Sequence, residues 1–115
     1  MSAAGDGVPI EIECQQLKSR LDAAEDLVLV DCREADEYAL VKIDAAQLLP
    51  MSELMARVGE LEPHRNRALV VHCHHGGRSL RVANWLRANG FPQAQSLAGG
   101  IDRWAVEIDP SLPRY

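Results

Sequence analysis

The sequence predicts a three-layer α/β domain, with a mostly parallel central sheet and helices on both faces. Three observations carry this. LVLVD (27–31) and ALVVHC (68–73) are continuously apolar and rich in valine and leucine, the composition of strands buried on both faces. Strand-like and helix-like segments alternate along the chain, as parallel crossovers require. The chain has 115 residues, 47% apolar and 25% charged, enough for one modest core.

Each element has its own justification. Residues 1–8 are small and polar and are expected to be a flexible N-terminus; residues 9–115 are expected to form the single domain. IEIE (10–13) alternates, which predicts a short edge strand. Leu17 and Leu21 are one helical turn apart and predict a helix over 14–24, which puts Cys14 on a surface helix. LVLVD follows as a buried strand, then READEYALV (33–41) as a short helix and AAQLLP (45–50) as a strand stopped by proline. Ser52 is the expected N-cap of a helix over ELMARVGEL, with Gly59 near its end. ALVVHC is the second buried strand. SLRVANWLRANG (79–90) sets Val82, Ala83 and Leu86 on one helical face and ends at Gly90. QAQSL (93–97) predicts another strand, GGIDRWAVE (99–107) a glycine turn into a helix, and IDPSLPRY an extended tail.

Composition excludes several functions. The net charge is −5 and there is no basic block, so neither nucleic acid nor an anionic membrane is an expected partner. The apolar runs are too short to span a bilayer. MSAAGDGVPI lacks a basic region followed by an apolar one, so no secretion signal is predicted. Three widely spaced cysteines argue against a disulfide framework and for a reducing compartment, which makes the cytoplasm the expected location. The expected working unit is a monomer.

VVHCHHGGRS (70–79) concentrates the chemistry, and three readings of it compete. A metal site is disfavoured because His72, Cys73, His74 and His75 are adjacent, whereas chelation draws on separated ligand pairs; no metal is expected. An ordinary turn after a buried cysteine is the plain alternative. A reactive thiol explains more of the pattern. A cysteine between a strand end and a helix start meets backbone N–H groups and the positive end of the helix dipole. Gly76 and Gly77 let the loop curl with its amides inward, Arg78 adds positive charge, and Ser79 opens the helix. Each favours a thiolate over a thiol, whose free pKa is about 8.5. His72 is expected to point away from Cys73 as a satisfied core histidine. His74 and His75 are expected to splay outward, so no partner base is predicted. Such a thiolate suits transfer of a group that leaves as a stable anion, with sulfur and phosphoryl transfer as the candidates.

The chain also resembles a known family at four separated segments in order. VDCREADEY (30–38) is similar to a D-x-R-E-x-x-E-[YF] segment, and LVKIDAAQLLPMSEL (40–54) to [GA]-H-I-x-G-A-x-x-I-P. VVHCHHGGRS is similar to an active-site loop, and LAGGIDRWAVEIDPSLPRY (97–115) to L-x-G-G-[IW]-x-x-W with its tail. The family is that of the single-domain rhodaneses. The resemblance implies a rhodanese-like three-layer fold and a (thiosulfate) sulfurtransferase. In it Cys73 takes sulfane sulfur from thiosulfate or a persulfide, becomes a persulfide, and passes the outer sulfur to cyanide or a thiol, with a partner protein in a sulfur relay as a further acceptor. His74, His75, Gly76, Gly77, Arg78 and Ser79 would bind substrate, and no metal or organic cofactor is required. Two covalent half-reactions imply ping-pong kinetics. Lys42 and Asp44 replace the family's His and Gly, Cys32 stands where valine is common, and His74-His75 departs from the Arg-x-Gly of thiosulfate enzymes.

Other classes stay open beside this one. One is a non-catalytic binding or regulatory module of the same fold. Another is a cysteine phosphatase or arsenate reductase, disfavoured because four residues separate Cys73 from Arg78, one fewer than phosphatase loops use. Asp31 and Arg33 either help organise the loop entrance or form a structural ion pair, Arg33 with Glu37. Cys32 is expected to face the core, either as a buried thiol or as a resolving cysteine. His74 and His75, with ordinary pKa values of about 6.5, would raise affinity for anionic donors as pH falls, or are plain exposed loop residues. Trp85 and Trp104 are expected as core or boundary anchors, and Gly99-Gly100 as a turn.

Overall fold

Five parallel strands form the centre of the computed structural model, which describes residues 8–115. The strands are β1 (Glu11–Ile12), β2 (Leu27–Asp31), β3 (Gln47–Leu48), β4 (Ala68–His72) and β5 (Ala94–Leu97). Their order across the sheet is β1-β5-β4-β2-β3, and every pairing is parallel. The helices are α1 (Cys14–Asp22), α2 (Ala35–Leu40), α3 (Leu54–Arg57), α4 (Gly77–Ala88) and α5 (Gly100–Glu107). The expectation of a flexible N-terminus falls on residues outside the described ones, except Val8, whose carbonyl accepts from Arg87 (2.7 Å).

The continuous apolar runs become the two central strands because both of their faces are covered. Val28, Val30, Leu69 and Val71 pack with Leu54, Leu61, Val82, Ala83 and Leu86 on one face. Leu29 and Val70 pack with Leu17, Ile101 and Trp104 on the other. Each fully buried Val or Leu contributes about 1.5–3 kcal/mol. β2 and β4 are in register from Leu27↔Ala68 to Asp31↔His72, so the residues that follow them also lie side by side. From this centre the chain runs outward to β5 on one side and β3 on the other. A parallel sheet is open to ligands where its order diverges in this way, at the carboxyl ends of its strands.

Three expectations need correction. Cys14 opens α1 but is fully buried, with its thiol 3.9 Å from the Ala98 carbonyl, because the first turn of α1 faces β5 and α5. Burial pushes its pKa up to about 11. Ser52 caps no helix. It lies in a 3₁₀ turn (Met51–Glu53), and its hydroxyl donates to Glu34 Oε1 at 2.6 Å. The helix expected after it is one α turn followed by a 3₁₀ segment, Val58–His64. Finally, the tail bends at Asp109, whose carbonyl accepts from Leu112 N, and it returns to the sheet. Among the described residues no helix is long and apolar enough to cross a membrane.

Candidate functional site

Cys73 is the first residue past β4, and α4 begins four residues later. The short connection folds back so that the cysteine sulfur sits at the helix N-terminus. Gly76 is the N-cap, with φ of +112°, a conformation that costs a side-chain-bearing residue strain. Its N–H donates to Cys73 Sγ at 3.1 Å, and Ser79 N donates at 3.3 Å. Ser79 Oγ lies 3.3 Å from the sulfur. Two of the loop amides expected to face Cys73 therefore reach its sulfur. The N–H groups of Gly77 and Arg78, in the same helical turn, have no hydrogen-bond partner among the described residues.

A second helix terminus holds the loop from outside. Ile101 N donates to the Cys73 carbonyl (2.9 Å) and Asp102 N to the His74 carbonyl (3.0 Å). The first turn of α5 thus draws these carbonyls outward, while the N–H groups of Gly76 and Ser79 face the sulfur. This is more than a turn. A Cβ on Gly100, itself at φ +60°, would lie 2.5–2.6 Å from the Cys73 and His74 carbonyls. Only glycine lets the two segments approach so closely.

These donors favour an ionised sulfur. Cys73 has its pKa lowered to about 4, first by a hydrogen bond from the Cys32 thiol, then by the Ser79 hydroxyl and the Ser79 and Gly76 amides, against the opposing effect of burial. Since the sulfur is a thiolate, the Ser79 hydroxyl is the donor to it. That leaves Ser96 Oγ, 2.8 Å away and fully buried, to donate to Ser79. Cys32 is pushed strongly upward, first by its bond to Cys73 and then by burial, so it stays protonated. Cys73 itself is 1% exposed. A partly desolvated thiolate held by neutral donors is a strong nucleophile, and it needs no base to activate it.

The remaining predicted residues divide sharply. Arg78 does not stand free beside the sulfur. Its guanidinium forms a two-bonded ion pair with Glu37 (2.7 and 2.9 Å), which fixes the start of α4 against α2. Arg78 first, with the Glu34 backbone N–H and the Tyr115 hydroxyl, holds the Glu37 carboxyl down at about 2 against burial. Arg33 pairs with Asp31 at 2.7 Å instead of with the Glu37 side chain, and both are fully buried. It also donates to the Val41 carbonyl (2.6 Å) and the Tyr115 hydroxyl (2.9 Å). His72 points away from Cys73 as expected, but it is not fully satisfied. Nδ1 reaches the Cys73 carbonyl (3.4 Å), while Nε2 has no hydrogen-bond partner and faces Asp31 at 3.6 Å. Burial lowers its pKa, outweighing Asp31, so the ring is neutral. His75 is exposed, near Asp102, but His74 does not splay outward: its ring is stacked on Tyr115, with centroids 3.8 Å apart. Trp104 is buried in one core, and Trp85, partly buried, packs at the boundary of the other.

Sequence reasoning missed Ser96, Glu37 as the partner of Arg78, and the closure made by Tyr115. The phase of β5 could have pointed to Ser96. It shares a face with Ala94, which packs on the Cys73 side of the sheet. Among the described residues no group of three or more His, Cys, Asp or Glu is arranged to hold a metal.

Known proteins share this architecture. A family model, the rhodanese-like domain, matches residues 13–107. A sulfurtransferase of Allochromatium vinosum is 36% identical over 95 residues, covering 83% of this chain and 87% of its own length. The rhodanese-like/PpiC domain-containing protein 12 of Arabidopsis thaliana, a chloroplastic protein, is 28% identical over 110 residues. That alignment takes in 91% of this chain, which spans only 37% of the Arabidopsis protein. The crystal structure of a rhodanese-like domain protein from Staphylococcus aureus superposes with a TM-score of 0.78 at 28% identity, covering 93% of this chain and 99% of that one.

Proposed function

From the premise that the chain belongs to the rhodanese-like domain family, we propose that it transfers sulfane sulfur through a persulfide on Cys73. The carrying observation is the placement of the Cys73 sulfur at the N-terminus of α4, where Gly76 and Ser79 N–H groups donate to it and draw its pKa down.

In the first half-reaction the thiolate attacks the outer sulfur of a donor. With thiosulfate, the Cys73–S bond forms as the sulfur–sulfur bond breaks, and sulfite leaves with the electron pair. Sulfite is a stable dianion, so no acid has to protonate it. The negative charge moves one atom outward to the terminal sulfur. The free amides of Gly77 and Arg78, in the same turn, would receive it in the manner of an oxyanion hole. In the second half-reaction cyanide, or a thiolate on a small molecule or a partner protein, attacks that terminal sulfur and restores Cys73. In this reading His74 and His75 meet the donor, Arg78 holds the loop through Glu37, and Asp31 and Arg33 brace the strand ends behind it. No cofactor enters either step.

Intact mass after exposure to thiosulfate tests this. The expected result, read as sulfite is first released, is a gain of one sulfur atom that cyanide reverses and that Cys73→Ser lacks. A wild-type protein that neither gains sulfur nor releases sulfite would leave only a binding module.

A further inference from the structure

Cys32 is buried beside the reacting sulfur, and the transfer cycle has no use for it as a nucleophile. The in-register pairing of β2 and β4 ends at Asp31↔His72, and Cys32 N extends it by donating to the His72 carbonyl at 3.0 Å. Cys32 and Cys73 are therefore the next cross-strand pair. Both belong to the same apolar cluster, each 1% exposed, so their side chains leave the same face of the sheet. Neighbouring strands lie about 4.7–4.9 Å apart, within the Cα separation of about 4.4–6.8 Å that a disulfide spans.

We propose that Cys32 resolves the Cys73 persulfide: its sulfur attacks Cys73 Sγ, a Cys32–Cys73 disulfide forms, and the outer sulfur leaves as hydrosulfide. This rests on the transfer reading above. The step balances within the protein. The bond from Cys73 Sγ to the outer sulfur breaks and the Cys32–Cys73 bond forms. The Cys32 proton departs with the sulfide, so Cys73–S–S⁻ and Cys32–SH become the disulfide and HS⁻. The outer sulfur is reduced, the two cysteine sulfurs are oxidised, and the sulfane donor is the oxidant. Two equivalents of a thiol reductant return the pair to thiol and thiolate.

The resting protein prevents the reaction, and the persulfide permits it. In the resting state the Cys32 proton is held by the Cys73 thiolate, the main influence keeping Cys32 protonated. Once Cys73 carries a second sulfur, the anion lies one atom further out and that hold weakens. Sγ, until then a nucleophile, is now an electrophile with a leaving group. Burial shields Cys73 Sγ itself, so external thiols meet the outer sulfur while Cys32 attacks Sγ with the high effective concentration of a neighbouring group. An acceptor that arrives first takes the outer sulfur and keeps the protein in its cycle. Without one, the sulfur is discharged as sulfide and the protein stops as the disulfide.

The test is a single addition of thiosulfate without acceptor or reductant, followed by sulfide assay, intact mass and peptide mapping. The wild type is expected to release about one equivalent of sulfide per chain, to lose two hydrogens, and to yield a linked peptide containing Cys32 and Cys73 that a thiol reductant separates. Cys32→Ser, which keeps a hydroxyl donor beside Cys73, is expected to retain the added sulfur and release no sulfide. A wild-type persulfide as lasting as that of Cys32→Ser, with no linked peptide, would overturn the resolving role and leave the transfer reading intact. No sulfur gained or released by either protein would remove both.

Discussion

The adjoining ends of β2 and β4 send alternate residues to opposite faces of the sheet, with opposite consequences. One face receives Cys32 and Cys73; the other receives Asp31, His72 and the Arg33 that follows. Both faces bury a negative charge. The Asp31 carboxylate takes Arg33 Nε, Nη2 and N, while Nη2 also donates to the Val41 carbonyl and Nη1 to the Glu37 carbonyl and the Tyr115 hydroxyl. Every bond there joins groups that are themselves fixed, so the charge is structural. The Cys73 thiolate is held by amides, a hydroxyl and a thiol, with two further amides unused in the same turn. Neutral donors stabilise an anion without a counter-charge that would have to be displaced when the anion moves outward by one atom. The comparison teaches that a buried charge becomes chemistry when its partners are dipoles with some to spare, and scaffold when an opposite charge saturates them.

The sharpest way to break this contrast is Arg33→Ala. Removing one member of a buried pair leaves the other uncompensated, so a loss of about 3–5 kcal/mol is expected in denaturant unfolding. Gly100→Ala attacks the other face from outside. Its Cβ meets the Cys73 and His74 carbonyls, and a loss of about 2–3 kcal/mol is expected, together with slower alkylation of Cys73. If Gly100→Ala keeps wild-type stability and reactivity, α5 does not hold the loop. Glu37→Gln frees Arg78 and is expected to cost about 1–2 kcal/mol at neutral pH. The Glu37 pKa is depressed to about 2, so its contribution is present above the unfolded carboxylate value and is lost as pH falls towards about 2. The gap between wild type and Glu37→Gln should therefore close in acid; a gap constant with pH would contradict the pairing. The smallest effect is expected from Ser96→Ala, which removes the donor behind Ser79. It should raise the Cys73 pKa by about half a unit to one unit, worth roughly 0.7–1.4 kcal/mol, with little change in fold stability. An unmoved titration would show that Ser79 orients itself unaided.

How much of this was legible in the sequence follows from what fixes each feature. LVLVD and ALVVHC read as buried strands because burial on both faces leaves no polar phase, and that placed Asp31 and Cys73 at strand ends. The Gly-Gly loop before a helix was readable because local backbone chemistry decides it. Cys14 was misread because the face of a helix's first turn depends on what packs there, here β5 and α5. Ser52 had the right residue type for a cap, but Glu34, eighteen positions earlier, took its hydroxyl. Arg33 and Arg78 were both visible as cations near carboxylates. Which carboxylate each one takes is set by the faces of β2 and by the placement of α2 beside α4, which no spacing rule encodes. Tyr115 comes back to His74 only because the tail turns at Asp109.

The central claim is that the Cys73 sulfur is ionised at neutral pH by the dipoles around it. The pH dependence of its alkylation by a small reagent, followed by peptide mass so that Cys14 and Cys32 are counted separately, tests this most directly. The rate at Cys73 is expected to stay level from neutral pH downward and to fall only around a pKa of about 4. A midpoint near the ordinary thiol value of about 8.5, or a native sulfur that does not react at all, would contradict the account.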